Sequence, residues 1–306
     1  MHQIWRLDKM KWIIYVYLLI GSQELVTSLV SDGESCGIHM VGNGLDMEEN
    51  SAAYWFPRNE DWDNLAIECL NEELQRNQTF MNVSDLARKF WNGRTIPHGL
   101  RKEHMIVVTM YTHHGSLYKA FNDEVQKYGN ITEYNSEFKL KAFHYLLTIA
   151  LQALRDHSKY LHLYRGLNVP KFGRRGQEMR FGRFTSTSLN RTVAEGYGNR
   201  TLFVLNTTYG VKIRNYSFFE GEDEILIPPY EKFEIVKAES SGGNCIFTLR
   251  SRGYEGVEVG LERDGNDCLR VYRKTRPWWV WFLIVLVILV TLGGLGTFLY
   301  KCCCQE

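Results

Sequence analysis

The chain has 306 residues, 44% hydrophobic and 23% charged, with 36 Lys and Arg set against 35 Asp and Glu. That length can bury one large core or two small ones. A net charge of +1 excludes the basic excess of a general nucleic-acid binder.

The first predicted element is a leader. Arg6, Lys9 and Lys11 precede the short apolar run WIIYVYLLIG, Trp12 to Gly21. A basic flank before about ten apolar residues is a secretory-signal pattern, too short for a comfortable membrane span. Residues 1–22 are read as this signal peptide, with cleavage in the region Ser22 to Ser31, where no A-x-A site stands out.

Seven N-x-S/T sequons, at Asn77, Asn82, Asn130, Asn190, Asn199, Asn206 and Asn215, agree with export. Cys36, Cys69, Cys245 and Cys268 are an even set for an oxidising compartment, and no Cys/His group has zinc spacing. Two disulfides tying early chain to late chain are expected. Three connectivities remain open, with Cys69–Cys268 and Cys36–Cys245 preferred.

From about Glu60 to Ser158 the pattern is helical. SEFKLKAFHYLLTIALQALRDHS carries Ser136 as a candidate N-cap, with Phe143, Leu146, Leu147, Ala150 and Leu154 on one helical face. His113 and His114 fall in a helical stretch, and neither a metal nor a catalytic role is expected for them. After Tyr160 the segments YLHLYRGL, TLFVLN, EKFEIVKAE and CIFTLRS read as strands separated by Gly, Asn or Pro. Helices first and strands second, without alternation, predict an α+β fold. With no internal repeat or low-complexity linker, residues 23–276 form one luminal domain.

Beyond it, WWVWFLIVLVILVTLGGLGTFLY, Trp278 to Tyr300, is uncharged for 23 residues, and at 1.5 Å each reaches roughly 34 Å, enough to cross a bilayer. Residues 277–300 are read as a transmembrane helix and 301–306 as a short cytoplasmic tail. In that tail Cys302, Cys303 and Cys304 are either palmitoylation sites or an inert end. Arg270, Arg273, Lys274 and Arg276 precede the span and oppose the positive-inside tendency, which a translocated folded domain overrides. The alternative is a glycolipid anchor attached near Gly265 to Cys268.

The stretch EGEDEILIPP, Glu220 to Pro229, sets four acids against an apolar strand. In an extended segment Glu222 and Glu224 share one face and Asp223 takes the other. Such a pair suits glycosyl chemistry, or is simply a charged strand entrance. LYRGL, Leu163 to Leu167, turns Arg165 inward with the parity of Leu161 and Leu163, so it needs an anionic partner, whether a structural ion pair or a phosphate. RFTSTSL, Arg183 to Leu189, is a hydroxyl-rich strand or turn containing Ser186. KFGRRGQEMRFGR, Lys171 to Arg183, reads as a basic loop, either solvated or engaged with phosphate or protein. No GxGxxG follows a strand, and GNG at Gly42 to Gly44 is too short to hold a pyrophosphate.

The order YRG, then FTSTS, then E-x-E before ILIP resembles the R-S-E signature of the arginine-specific mono-ADP-ribosyltransferases of the vertebrate ecto-enzyme type, shared with certain bacterial toxins. GNGLDMEENSAAYW, MYTHHGSLYKAFNDEVQ and LRSRG are similar to that family too, so the likeness covers nearly the whole chain. It implies a helical N-terminal part followed by a strand-rich NAD-binding core. NAD is the co-substrate, no metal is needed, and the acceptors are exposed arginines on extracellular or luminal proteins. Arg165, Ser186, Glu222 and Glu224 are implied as catalytic, with Arg165, Gly166, Ser186 and Tyr197 at the NAD. By this resemblance Glu224 opposes the charge developing on the ribose, while Glu222 holds the incoming guanidinium and helps remove its proton. Arg165 clamps phosphate, Gly166 lets backbone approach the nicotinamide amide, and Ser186 holds the ribose or orients Glu224. Tyr197 stacks on nicotinamide or is a plain core tyrosine. The competing readings are an NAD glycohydrolase on the same fold and a catalytically inert cell-surface binding protein, with glycans at Asn190, Asn199 or Asn215 crowding the cleft.

Overall fold

A computed structural model describes residues 35–36, 50–113, 115–156, 160–219, 221, 223–265 and 267–274. The predicted signal peptide, the GNG segment, His114, Glu222, the C-terminal apolar run and the tail lie outside these residues. Among the described residues no helix is long and apolar enough to cross a membrane.

After two short strands, β1 (Ser35–Cys36) and β2 (Tyr54–Trp55), come six helices: α1 (Glu60–Gln75), α2 (Gln78–Phe90), α3 (Lys102–Tyr111), α4 (Ser116–Lys127), α5 (Ile131–Glu137) and α6 (Lys141–Leu154). Asn59 and Asn77 accept from backbone N–H groups of the first turns of α1 and α2, the usual work of an N-cap. α6 is the hub. Every residue from Lys141 to Leu151 is buried, so in place of the single apolar face expected from periodicity the helix is buried all round except over its last three residues.

The expected continuous helix from Ser136 is also broken. Ser136 lies near the end of α5, and Phe138 is extended, with φ −70° and ψ 121°. The break buries Phe138, which stacks on Tyr134 at 4.3 Å, and Leu140. No local side chain caps α6. The Glu73 carboxylate of α1 does so, accepting from Ala142 N (2.6 Å) and Phe143 N (3.2 Å). Burial raises the Glu73 pKa to about 8, against those two N–H groups and the charges of Lys141 and Arg76.

The strand half contains β3 (Tyr160–Leu167), β4 (Gly173–Arg174), β5 (Glu178–Arg180), β6 (Thr185–Ser188), a short helix α7 (Arg191–Gly196), β7 (Thr201–Thr207), β8 (Val211–Lys212), β9 (Glu224–Ile227), β10 (Glu231–Ser241), β11 (Asn244–Tyr254), β12 (Val257–Asp264) and β13 (Cys268–Arg273). The main sheet has the order β5-β10-β11-β7-β3-β6-β9-β8, antiparallel except for β7 and β11. β9 is buried on both faces: Leu226 enters the helical core, while Ile225 and Ile227 enter a second core with Phe203, Phe233 and Phe247. That explains its unbroken apolar run.

Early and late strands of the described residues come together. β2 pairs with β12 in a second, three-stranded sheet, and β1 pairs with β4. Lys171 to Arg183 is therefore not simply a loop. It contains β4 and β5, and its Met179 and Phe181 are buried in the second core. The preferred disulfides are present: Cys36–Cys245 joins β1 to β11, and Cys69–Cys268 joins α1 to β13.

Candidate active site

β3, β6 and β9 lie side by side in the main sheet. β6 and β9 pair along four positions, including Ser186 with Leu226 and Ser188 with Glu224. β3 and β6 pair at one position alone, Tyr164 with Ser188. A ladder so short leaves room between the strands, and the Arg165 side chain bridges it: Nη1 donates to the Ser186 carbonyl at 2.7 Å. The inward arginine thus has a backbone carbonyl as its partner here. Glu224 opens β9 and is 6% exposed.

These residues line a cavity of about 270 Å³ together with Gly166, Ser188, Tyr197, Tyr111 and Tyr118. Aromatic walls with a few convergent polar groups are the usual make-up of a small-molecule site. No group of three His, Cys, Asp or Glu among the described residues is arranged to hold a metal.

The family model for NAD:arginine ADP-ribosyltransferases matches residues 59–255. The chain belongs to this ADP-ribosyltransferase family. It is 34% identical over 254 residues to the NAD(P)(+)--arginine ADP-ribosyltransferase 2 of Gallus gallus, covering 80% of each chain. It is 35% identical over 206 residues to the GPI-linked NAD(P)(+)--arginine ADP-ribosyltransferase 1 of Mus musculus, covering 61% of this chain and 63% of that one. The crystal structure of the eukaryotic mono-ADP-ribosyltransferase ART2.2 superposes with a TM-score of 0.60 at 30% identity, over 70% of this chain and 97% of that one. A variant of ART2.2 in complex with NADH gives 0.59 at 29% identity, over 70% and 95%.

In this ADP-ribosyltransferase the cavity's second wall is α7, which supplies Val193, Ala194 and, just past its end, Tyr197. Tyr197 is 58% exposed, so it is a residue of the cavity mouth and not of the core. Gly166 is required by packing: a Cβ there would meet the carbonyl oxygens of Gly198 at 2.1 Å and Ala194 at 2.3 Å. α7 sits that tightly on β3 because position 166 has no side chain.

The acidic stretch departs from the expected alternation. Asp223 has φ +44°, so the chain is not extended where it enters β9, and the parity argument for its carboxylates does not apply. The Asp223 carboxylate is paired with Arg214 (2.8 Å) and Lys212 (3.5 Å). Loss of hydration acts to raise its pKa, but Arg214 and Lys212 together outweigh that and hold it below the usual range.

The roles of Tyr111, Tyr118 and Asn122 were not read from sequence, although MYTHHGSLYKAFNDEVQ contains all three. Tyr111 OH donates to the Phe184 carbonyl (2.7 Å) and accepts from Asn122 Nδ2 (3.0 Å), while Asn122 Oδ1 accepts from Phe184 N (3.1 Å). The helical half thereby fixes Phe184, two residues before Ser186. Burial first, then Tyr118 and Glu224, raise the Tyr111 pKa far above its ordinary value, against Asn122 and Arg165. A tyrosine at the end of one helix and an asparagine in the next carry no distinctive sequence signal. His113 lies past the end of α3, beyond the Thr112 cap, with its ring 6.0 Å from Phe218, so it is not helical.

Proposed function

We propose that this chain transfers ADP-ribose from NAD to the guanidinium of protein arginines and releases nicotinamide. The observation that carries the reading is the meeting of Arg165, Ser186 and Glu224, from three neighbouring strands, around one cavity. Nicotinamide is cationic at its glycosidic nitrogen and departs neutral, so the site needs no general acid for the leaving group. It needs a fixed negative charge beside the ribose. Glu224, buried and held by the β6–β9 ladder, supplies one without reorganising.

Arg165 keeps one N–H on the Ser186 carbonyl and has further donors for a phosphate of NAD. Ser186 faces the same cavity and serves the ribose or orients Glu224. Tyr197 offers a ring at the mouth for the nicotinamide. Glu222 is assigned the acceptor guanidinium, which must lose a proton before it attacks; this role rests on its place two residues before Glu224.

We further propose that residues 23–276 act outside the cell, after loss of 1–22, and that 277–300 span the membrane ahead of a cytoplasmic tail at 301–306. Phospholipase that cleaves glycolipid anchors should leave the protein on cells; its release would replace the span with a lipid anchor.

The deciding assay combines ectodomain, NAD and agmatine, following nicotinamide and ADP-ribosyl-agmatine separately. Conjugate is expected from the wild type and not from Glu224→Gln. Glu222→Gln should lose conjugate while still releasing nicotinamide. A folded wild type giving nicotinamide alone would indicate a glycohydrolase, and one giving neither product would end the enzyme reading.

A further inference from the structure

The sequons are not spread evenly about the molecule. Asn190 is the N-cap of α7, and Asn199 lies two residues beyond Tyr197, so both ends of one cavity wall carry an acceptor asparagine. Asn215 lies in the 3-10 turn Arg214–Tyr216, whose Arg214 is bonded to Asp223, the neighbour of Glu224. All three asparagines are exposed. By contrast, Asn77, Asn82 and Asn130 lie on the helical half at α2 and α5. Asn206 is half-buried in β7, with Oδ1 accepting from His162 N.

The chemistry of Asn190 permits a sugar. Its cap uses Oδ1, which accepts from Thr192 N at 2.9 Å, whereas a glycan attaches through Nδ2. Cap and glycan can therefore coexist.

We propose that N-glycans on Asn190, Asn199 and Asn215 fence the mouth of the cavity from the α7 side and the β9 side, and so set which arginines reach Glu224. This rests on the transferase reading above. A glycan is bulky, hydrated and mobile. It keeps a broad folded surface from settling over Tyr197 while leaving a channel for a slender group. The favoured acceptors are then small guanidines and arginines on extended, protruding segments, and the disfavoured ones are arginines lying flat on a compact protein.

The test uses the full chain made in a glycosylating secretory host. A triple variant, Thr192→Ala with Asn199→Gln and Asn215→Gln, removes the three sequons and keeps the Asn190 cap. Wild type treated in the native state with peptide N-glycosidase covers the case in which the variant misfolds. Glycopeptide masses should show sugar on the three asparagines of the wild type. Removing it should raise the rate on lysozyme, a compact protein with surface arginines, by about tenfold and leave the agmatine rate within about twofold, because orientational restriction acts on encounter with the large partner. Vacancy at two or more of the three asparagines overturns the proposal, as does an equal change on both acceptors or none on either. No agmatine conjugate from the wild type would count against the transferase reading instead, whereas vacant asparagines beside normal agmatine conjugation would overturn this proposal alone.

Discussion

Two buried glutamates show how differently the two halves of this molecule use the same group. In the helical half, both oxygens of Glu73 accept from the backbone of α6, and its surroundings are all protein. In the sheet half, Glu224 is nearly as buried but borders a cavity shared with Arg165, Ser186 and four tyrosines. Glu73 completes the fold. Glu224 faces a cavity, where the proposed reaction would use it. Burial alone does not mark a functional carboxylate; what lies on its remaining side does.

The sharpest way to break this comparison is to exchange the phenotypes. Glu224→Gln should lower the rate of conjugate formation by about a thousandfold with Tm held or raised. Glu73→Ala should do the reverse. It leaves two N–H groups of α6 without their acceptor, at a cost of about 3 kcal/mol, or roughly 8 °C in Tm, with the rate per folded molecule preserved. If Glu73→Ala abolished turnover at full stability, the division would be wrong.

A second contrast is in pH response. Burial drives the His144 pKa down to about 3, from 6.5 in the unfolded chain. A depressed folded value means stability that is complete above pH 6.5 and is lost as pH falls toward 3. About 2–3 kcal/mol should go between pH 6.5 and 4.5, before most carboxylates titrate, and His144→Gln should remove that slope in chemical denaturation. The smallest effect belongs to the residue joining the halves. Tyr111→Phe removes the hydroxyl between Asn122 and Phe184 and should cost about 1–2 kcal/mol. Its mark beyond stability is a raised KM for NAD with kcat less affected.

The sequence showed the sheet half well because its signals are local. YRG, FTSTS and EILI each became a strand, and the strands became neighbours. The preferred disulfide pairing is the one the structure contains. What escaped were features settled by distant residues. Ser136 had every local credential of an N-cap, but Glu73, far away in the chain, took that task. Asp223 fits an extended pattern on paper, yet Arg214 and Lys212 meet it where its φ is positive. Lys171 to Arg183 reads as soluble charge until β1 and β10 pair with it. Tyr111 was invisible as a site residue because its partner, Phe184, is brought up by the fold.

The long reach of the two crosslinks, 209 and 199 residues, has a consequence for synthesis. At about 5–20 residues per second, roughly 10–40 s separate the appearance of each early cysteine from that of its mate. From the synthesis of Cys69 until that of Cys245, Cys36 and Cys69 are the only domain thiols made, and β2 has yet to meet β12. A ribosome that stops before Cys245 therefore leaves a fragment that can form neither native bond, with two thiols open to the wrong one. The last strands made are the ones that let the first cysteines pair correctly.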